Sequence, residues 1–372
     1  MAAGRTVAVS INGGAIVDTD DTDGSGNYSI SGMDIDAGDV ITVFIDGEAE
    51  KAVVVTRGSG LDMTINLYED YLITRADDGG ALTNANLDTA NNVGGGGDAD
   101  INAIYTMSGT ALTVVSGVEL LVWTGDEFAP GDTVTAGNLD INGTFTMAAN
   151  NVNISGGWDA TDGQFSGSGG TVTFNASTGA TFDIISNSGT FGEIDINTTG
   201  GSVIELEDAM IVGGTLTITQ GTLDVKSGEN NSLTVGGSWD NSGSFEARAG
   251  TVTLTGTQAL DITSGGDNFY NLTFNGSGSW ELQDALDVNG ALTIAQGTLD
   301  VNAAGSYMIN VGGDWTNSGS FLARSGTVAF DATSGSPTIT SGGAAFTNIE
   351  LTDGGNDITF TLESNLDING TL

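Results

Sequence analysis

The richest metal-binding chemistry in the chain lies in a short acidic run. Asp18, Asp20, Asp21, Asp23 and Asn27 put five oxygen-bearing side chains into ten residues, around Gly24 and Gly26. Hard cations such as calcium take about six to eight oxygens, so this turn is a candidate calcium site. It lacks the EF-hand spacing and its closing glutamate; the competing reading is a solvated, Asp-rich hairpin tip. Asp77-Asp78 and Asp98-Ala-Asp100 are weaker pairs of the same kind.

Most other chemistry is removed by inventory. The chain has no His and no Cys, which rules out a Ser-His-Asp triad, a thiolate nucleophile, disulfides and an imidazole- or thiolate-bound metal. No Gly-rich loop is followed by Lys-Ser or Lys-Thr, so there is no phosphate-binding P-loop. Carboxylate acid–base catalysis of the glycosidase kind remains, but 48 Asp and Glu will place some pairs at catalytic spacing by accident. An active site would interrupt the repeat described below, and no interruption is visible. The expectation is a protein that is not an enzyme, with no cofactor unless it is calcium.

Two other residue sets recur. Trp158, Trp239 and Trp315 each follow a Gly-rich corner. They could form a stripe for stacking sugars, since aromatic faces suit glycans and partner surfaces. Their identical slot in each copy favours a structural role, filling space over the corner. Arg248 and Arg324 stand at matching positions of Phe-x-Ala-Arg-x-Gly-Thr-Val. With so few cations nearby, they are expected to pair with carboxylates.

These residues are positioned by an internal repeat, the signal to read first. Met210-Ile-Val-Gly-Gly-Thr-Leu-Thr-Ile-Thr-Gln-Gly-Thr-Leu-Asp-Val225 matches Leu286-Asp-Val-Asn-Gly-Ala-Leu-Thr-Ile-Ala-Gln-Gly-Thr-Leu-Asp-Val301. A diverged copy starts at Leu139 and a further one at Leu366. The equivalent Gly143, Gly214, Gly290 and Gly370 are 71 to 80 residues apart. Within a copy, three- to six-residue stretches such as Leu216-Thr-Ile218 and Leu233-Thr-Val235 alternate apolar and polar residues, as half-buried strands do. Asn-Gly, Gly-Gly, Ser-Gly and Gln-Gly separate them, residues that supply positive φ at corners.

Strands this short cannot bury a face alone, but stacked coils can. The spacing predicts an all-β protein whose main part is a parallel β-solenoid, with coils of about 20 to 25 residues. Propeller blades of about 40 to 50 residues and Ig-like units of about 100 fit the period poorly. Residues 138–372 are read as three diverged units and the start of a fourth. Residues 98–137 are read as irregular first coils that cap the stack, and 76–97, ending in Gly94-Gly-Gly-Gly97, as a linker. Residues 1–75 do not share the repeat. Val7–Ile11, Tyr28–Ile30, Val40–Ile45, Lys51–Val55 and Met63–Leu67 predict a small Ig-like β-sandwich.

The balance of 7 Lys and Arg against 48 Asp and Glu gives a net charge of −41. Such a chain should repel nucleic acid, which needs a basic face. No apolar run approaches the roughly 18 residues of a transmembrane segment. The start, Met1-Ala-Ala-Gly-Arg5, has no signal-peptide apolar core, which suggests a trimmed chain, given a composition typical of exported proteins.

Leu366-Asp-Ile-Asn-Gly-Thr-Leu372, Gly312-Gly-Asp-Trp-Thr-Asn-Ser-Gly-Ser-Phe321 and Phe269-Tyr-Asn-Leu-Thr-Phe274 resemble the β-strand-repeat surface proteins of bacteria, which are akin to filamentous-haemagglutinin and autotransporter passengers. The resemblance covers roughly residues 100–372. It implies a secreted or cell-surface β-solenoid acting as an adhesin shaft or filament subunit, and carries no catalytic residues. Asp23-Gly-Ser-Gly-Asn-Tyr-Ser-Ile30 with Ile45-Asp-Gly47 resembles carboxypeptidase-regulatory-like surface modules. Head-to-tail self-association is one expected partnership, suggested by the unfinished copy at Leu366. A glycan or host-surface ligand is the other.

Overall fold

A computed structural model describes residues 3–352 and 357–372. Contacts divide the chain into two compact units, Met1–Asn175 with Ile185–Gly189, and Ala176–Ile184 with Thr190–Leu372. Both are built from parallel β-solenoid turns, as the alternation and corner glycines predict.

In the first unit, β1 (Thr6–Ile11), β2 (Ile16–Asp21), β3 (Ala37–Ile45) and β4 (Val53–Ser59) form an antiparallel sheet in the order β2-β1-β3-β4. β5 (Tyr71–Thr74) then pairs in parallel with β4 on one side and with Glu119–Val122, a solenoid strand, on the other. The N-terminal sheet therefore runs into the solenoid sheet. It is not set apart at residue 75.

Val7, Val9, Ile41, Val43 and Ile45 line one face of this sheet, and Tyr28, Ile30, Met33, Ile35, Met63 and Ile65 pack over them. The segments 27–36 and 62–68 are thus a second layer. Their alternation is that of strands, yet they join no ladder. The opposite face is covered by α1 (Asn84–Asn91), whose Leu87 and Ala90 are buried. Residues 76–97 are accordingly not a linker. Thr83 caps the helix, accepting from the Asn86 amide while the Asn86 side chain accepts from the Thr83 amide. That reciprocal cap satisfies N-terminal donors that two turns of helix would otherwise leave open. Residues 98–137 include the four-residue helix Ala99–Asn102 and the antiparallel hairpin Tyr105–Ser108/Ala111–Val114.

Each solenoid turn consists of short strands that pair in parallel with their counterparts one turn on. In the first unit, Leu120, Leu139 and Trp158 form one inward ladder; Phe128, Phe145 and Phe165 form another; Leu112, Val134, Val152 and Val172 form a third. In the second unit, Trp239 lies between Leu216 and Ile262, 23 residues from each. Trp315 lies between Leu292 and Ile339. All these side chains are buried, each contributing about 1.5–3 kcal/mol for burial.

Glycine serves two purposes at the corners. Gly221 and Gly297, of the Gln-Gly pairs, have φ of +87° and +71°. The Gly-Gly pairs before Trp239 and Trp315 are needed for a different reason, close stacking. A Cβ on Gly236 would meet the Gly213 carbonyl oxygen at 2.3 Å, and one on Gly312 the Asn289 carbonyl oxygen at 2.5 Å.

The sequence repeat and the solenoid turn do not coincide. The strand beginning at Trp315 is the eleventh after the one beginning at Trp239. Pairing runs from each strand to the third one on, and eleven is not a multiple of three. Trp239 and Trp315 therefore lie in different sheets. The copy holding Trp315 is displaced by one face relative to the copy holding Trp239.

Candidate functional site

In the second unit, parallel in-register pairing lines up charges. Asp183 faces Glu205, Glu205 faces Asp224 and Asp224 faces Glu246 on four neighbouring strands. Phe182, Ile204, Leu223 and Phe245 alternate with them on the core side. Strands are about 4.8 Å apart, so the outer face carries a ladder of carboxylates, an arrangement that is unfavourable for like charges.

Two cations built into the chain offset it. Lys226 pairs with Glu207 and lies 3.5 Å from Glu229. Arg248 donates Nε and Nη2 to both oxygens of Asp224, at 2.9 and 2.6 Å. The Lys226 amide donates to the same carboxylate at 2.9 Å. Both basic residues have left-handed backbones, φ 67° and 49°. The Glu207 hydrogen bond holds the Lys226 ammonium above its usual range, and Asp224 does the same for Arg248. Burial, then repulsion by Glu207, pushes the Asp183 carboxyl up. Burial and Asp224 do so for Glu205.

The next copy keeps the geometry and changes the charge. Asp261, Glu281 and Asp300 form the ladder, and Leu322 ends it. Arg324 repeats the forked contact, to Asp300, at 2.8 and 2.5 Å. Asn302 stands where Lys226 did and donates to Glu281 at 3.1 Å, while Gln283 replaces Glu207 and donates to Asp261 at 2.8 Å. Amide hydrogen bonds have replaced an ion pair. The expectation that Arg248 and Arg324 bind carboxylates is met in both.

Oxygens of Asp183, Glu205 and Glu207 lie within 4.8 Å of one another, as do those of Asp46, Asp98 and Asp100. These are the groups of three or more carboxylates among the described residues that a divalent cation could bridge. Each already touches an ammonium, Lys226 in the first and Lys51 in the second. Burial works to raise Asp100, but hydrogen bonds from the Gly47 amide and Lys51 hold it below its usual range. Asp98-Ala-Asp100 was legible as a pair in the sequence. The Asp183 group was not, because its members come from neighbouring turns; the signal was Lys226, one of only two lysines in the chain.

Asp18, Asp20, Asp21, Asp23 and Asn27 do not converge on a shared point. Asp23 accepts from the Ser25 and Asn27 amides at 2.7 and 3.0 Å, as in a tight Asx turn,. The Asn27 amide bond and then that of Ser25 hold its carboxyl below the usual range. Asp20 accepts from the Ser29 amide, Asp21 from the Thr6 hydroxyl and Asp18 from the Thr19 amide. The run supplies turn and edge hydrogen bonds.

Trp158, Trp239 and Trp315 are fully buried, so none offers a ring face to a sugar. Each meets a phenylalanine edge-to-face: Phe165 at 4.9 Å and 75°, Phe245 at 4.8 Å and 73°, Phe321 at 4.9 Å and 74°. Trp280, buried against Phe274 at 5.3 Å, is a further core anchor outside the repeated slot.

All seven basic side chains of the chain, Arg5, Lys51, Arg57, Arg75, Lys226, Arg248 and Arg324, are in ion pairs. Each basic side chain thus has a carboxylate partner within the chain. No helix among the described residues is long and apolar enough to cross a membrane. Comparison with protein-family models, with curated proteins and with solved structures gave no match, so the functional reading rests on the chain's own geometry.

Proposed function

We propose that this chain is a non-enzymatic, exported structural protein, the β-solenoid part of a bacterial surface adhesin or the subunit of an extracellular filament. The observation that carries this reading is where the repeated residues go. The recurring Trp–Phe pairs fill the core, the recurring glycines let turns stack, and the recurring Arg–Asp forks tie one turn to the next. Repetition here maintains a stack.

Electron microscopy of the purified protein at high concentration, with and without calcium, separates the two forms. Fibres whose axial repeat matches one subunit support the filament. Single particles under all conditions remove it and leave the adhesin. A second reading, a calcium-binding adhesion module, draws on the Asp46–Asp98–Asp100 and Asp183–Glu205–Glu207 groups. Calorimetric calcium titration tests it, and absence of heat would dismiss it.

A further inference from the structure

The two extended segments over the N-terminal sheet have the side-chain pattern of strands and none of the pairing. Tyr28 and Ile30, and then Met33 and Ile35 beyond a one-residue shift at Gly32 (φ 78°), alternate with exposed residues in 27–36, and Met63, Ile65 and Leu67 do so in 62–68. No backbone hydrogen bond joins one segment to the other. Between them lies a cavity of about 980 Å³, floored by Val9, Ile41 and Val43 and walled by residues 26–33, 35 and 60–68.

The contacts the segments do make show which way their backbones point. The Tyr28 hydroxyl donates to the Ile65 carbonyl oxygen at 2.8 Å, reaching across the cavity. Burial pushes that phenol up to about 12. The neighbouring Thr64 carbonyl accepts from Arg75 at 2.8 Å, from the outer side. On the other wall the Ser29 amide is held from outside by Asp20 at 2.7 Å. Backbone groups of successive strand residues point to opposite sides. The groups of Met63, Ile65 and Leu67 and those of Tyr28 and Ile30 therefore face inward, toward each other. Strands that flank a third are about 9.5 Å apart, two strand spacings, a separation that a tyrosine side chain plus one hydrogen bond can span; the walls close toward Gly60, where a Cβ would lie 3.6 Å from the Ile35 carbonyl oxygen. Asp62 lines the slot and is exposed, and Asp34 and Asp36, exposed as well, flank Ile35 on the other wall.

We propose that this slot receives one extended β-strand of a partner protein, with apolar side chains at alternate positions and lysine or arginine on its outward face. Only an extended backbone satisfies two facing rows of strand donors and acceptors at once, the recognition mode of β-strand addition. The partly buried Tyr28, Ile30, Met33, Met63 and Ile65 side chains that line the slot select apolar residues on the strand's inner side. The acidic rim, in a chain whose seven cations are all internally paired and whose net charge is −41, selects positive charge on the outer side. Tyr28 holds one carbonyl until the strand arrives. This adds a partner to the structural role proposed above and does not depend on it.

The test uses the whole protein and a nonapeptide, Lys-Val-Thr-Val-Lys-Val-Thr-Val-Lys, with amide hydrogen exchange read residue by residue. The amides of Ile30, Met63, Ile65 and Leu67 should exchange at least tenfold more slowly with saturating peptide. A peptide with the same residues but consecutive valines, and one with Glu for Lys, should give little protection. Charge reversal at the rim, Asp34→Lys with Asp36→Lys and Asp62→Lys, leaves the core untouched and should shift preference to the Glu peptide. The proposal is overturned if these amides are already protected without peptide, which would mean that the segments pair with each other or with a second copy. It is equally overturned if all peptides protect alike, if none does at millimolar concentration, or if protection falls only on the open edge of β2.

Discussion

Arg248 grips both carboxylate oxygens of Asp224 across one solenoid turn, from a backbone held at φ 49°. Arg324 and Asp300 repeat the contact, with φ 51° at the arginine. A non-glycine residue in this region costs about 1 kcal/mol, so the fork must offset that strain. Asp224 is nearly buried, whereas the Arg248 side chain is 39% exposed. Breaking a fully buried pair costs about 3–5 kcal/mol; screening at the exposed arginine reduces this here to about 1–2 kcal/mol. Arg248→Ala should lower the urea midpoint accordingly. Arg248→Gly should lower it less, because glycine accepts the positive φ. If the two variants prove equally destabilised, backbone strain plays no part in the fork.

Lys226 and Asn302 occupy the same place in successive copies, and they set up an internal comparison. Replacing Lys226 by Met removes the ammonium from beside Glu207 while Asp183 and Glu205 stay close. We expect a lower melting temperature at low salt and partial recovery with added salt, since screening acts on exposed like charges. Calcium at millimolar concentration should restore more than sodium at equal ionic strength, because the three carboxylates then have a bridging cation. Asn302→Met should show no such calcium response, as its copy carries Gln283 in place of Glu207.

The indole N–H groups of Trp239, Trp280 and Trp315 are buried without a hydrogen bond, which makes these residues core fillers rather than polar anchors. Trp315→Ala should cost about 3–5 kcal/mol through the cavity it leaves. Trp315→Phe should cost clearly less, since it also removes an unsatisfied donor. Intrinsic fluorescence of the native protein should show blue-shifted, quencher-resistant tryptophans and should not change with added sugars. A saccharide-dependent shift arising from Trp239 or Trp315 would contradict their burial.

Legibility of this fold follows the range of the interactions. Alternation in Leu216-Thr-Ile218 and the Gln-Gly corners is local, and it suffices to read a solenoid with turns of the right length. The face on which a residue sits is not local. It depends on the count of strands between copies, and the displacement of Trp315 from the sheet of Trp239 cannot be seen in a 76-residue period. The helix Asn84–Asn91 was hidden because it has only two turns, with Leu87 its one large apolar residue, and its one signal was the Thr83–Asn86 cap. Segments 27–36 and 62–68 carry strand patterning without strand partners, so pattern reading assigned them a sheet. For Asp18 to Asn27 spacing alone left two readings open, a calcium site and a solvated hairpin tip; strand alternation and the Asp23 turn send their carboxylates to separate amides and hydroxyls.

Asp140 provides a pH test in the first unit. Its strand pairs it with Asp159, and Glu119 and Asp162 act on it as well. Burial first, then repulsion by Glu119 and Asp159, pushes its carboxyl up to about 6, against a hydrogen bond from Asn142 that lowers it. A carboxyl whose folded pKa is raised binds its proton more tightly in the folded state. Its contribution is therefore most favourable below its unfolded pKa near 4, is lost as pH rises from about 4 to 6, and stays lost above that. Asp140→Asn should remove this dependence and stabilise the protein at pH 7 by about 1 kcal/mol, after discounting about 1.4 kcal/mol per pKa unit for solvent screening. The difference between wild type and variant should vanish near pH 4. Denaturation midpoints at pH 4, 5, 6 and 7 measure it. A variant that is instead less stable than wild type at pH 7, by a deficit that shrinks on acidification, would show that Asp140 is stabilised as the carboxylate, with Asn142 outweighing burial and the neighbouring charges.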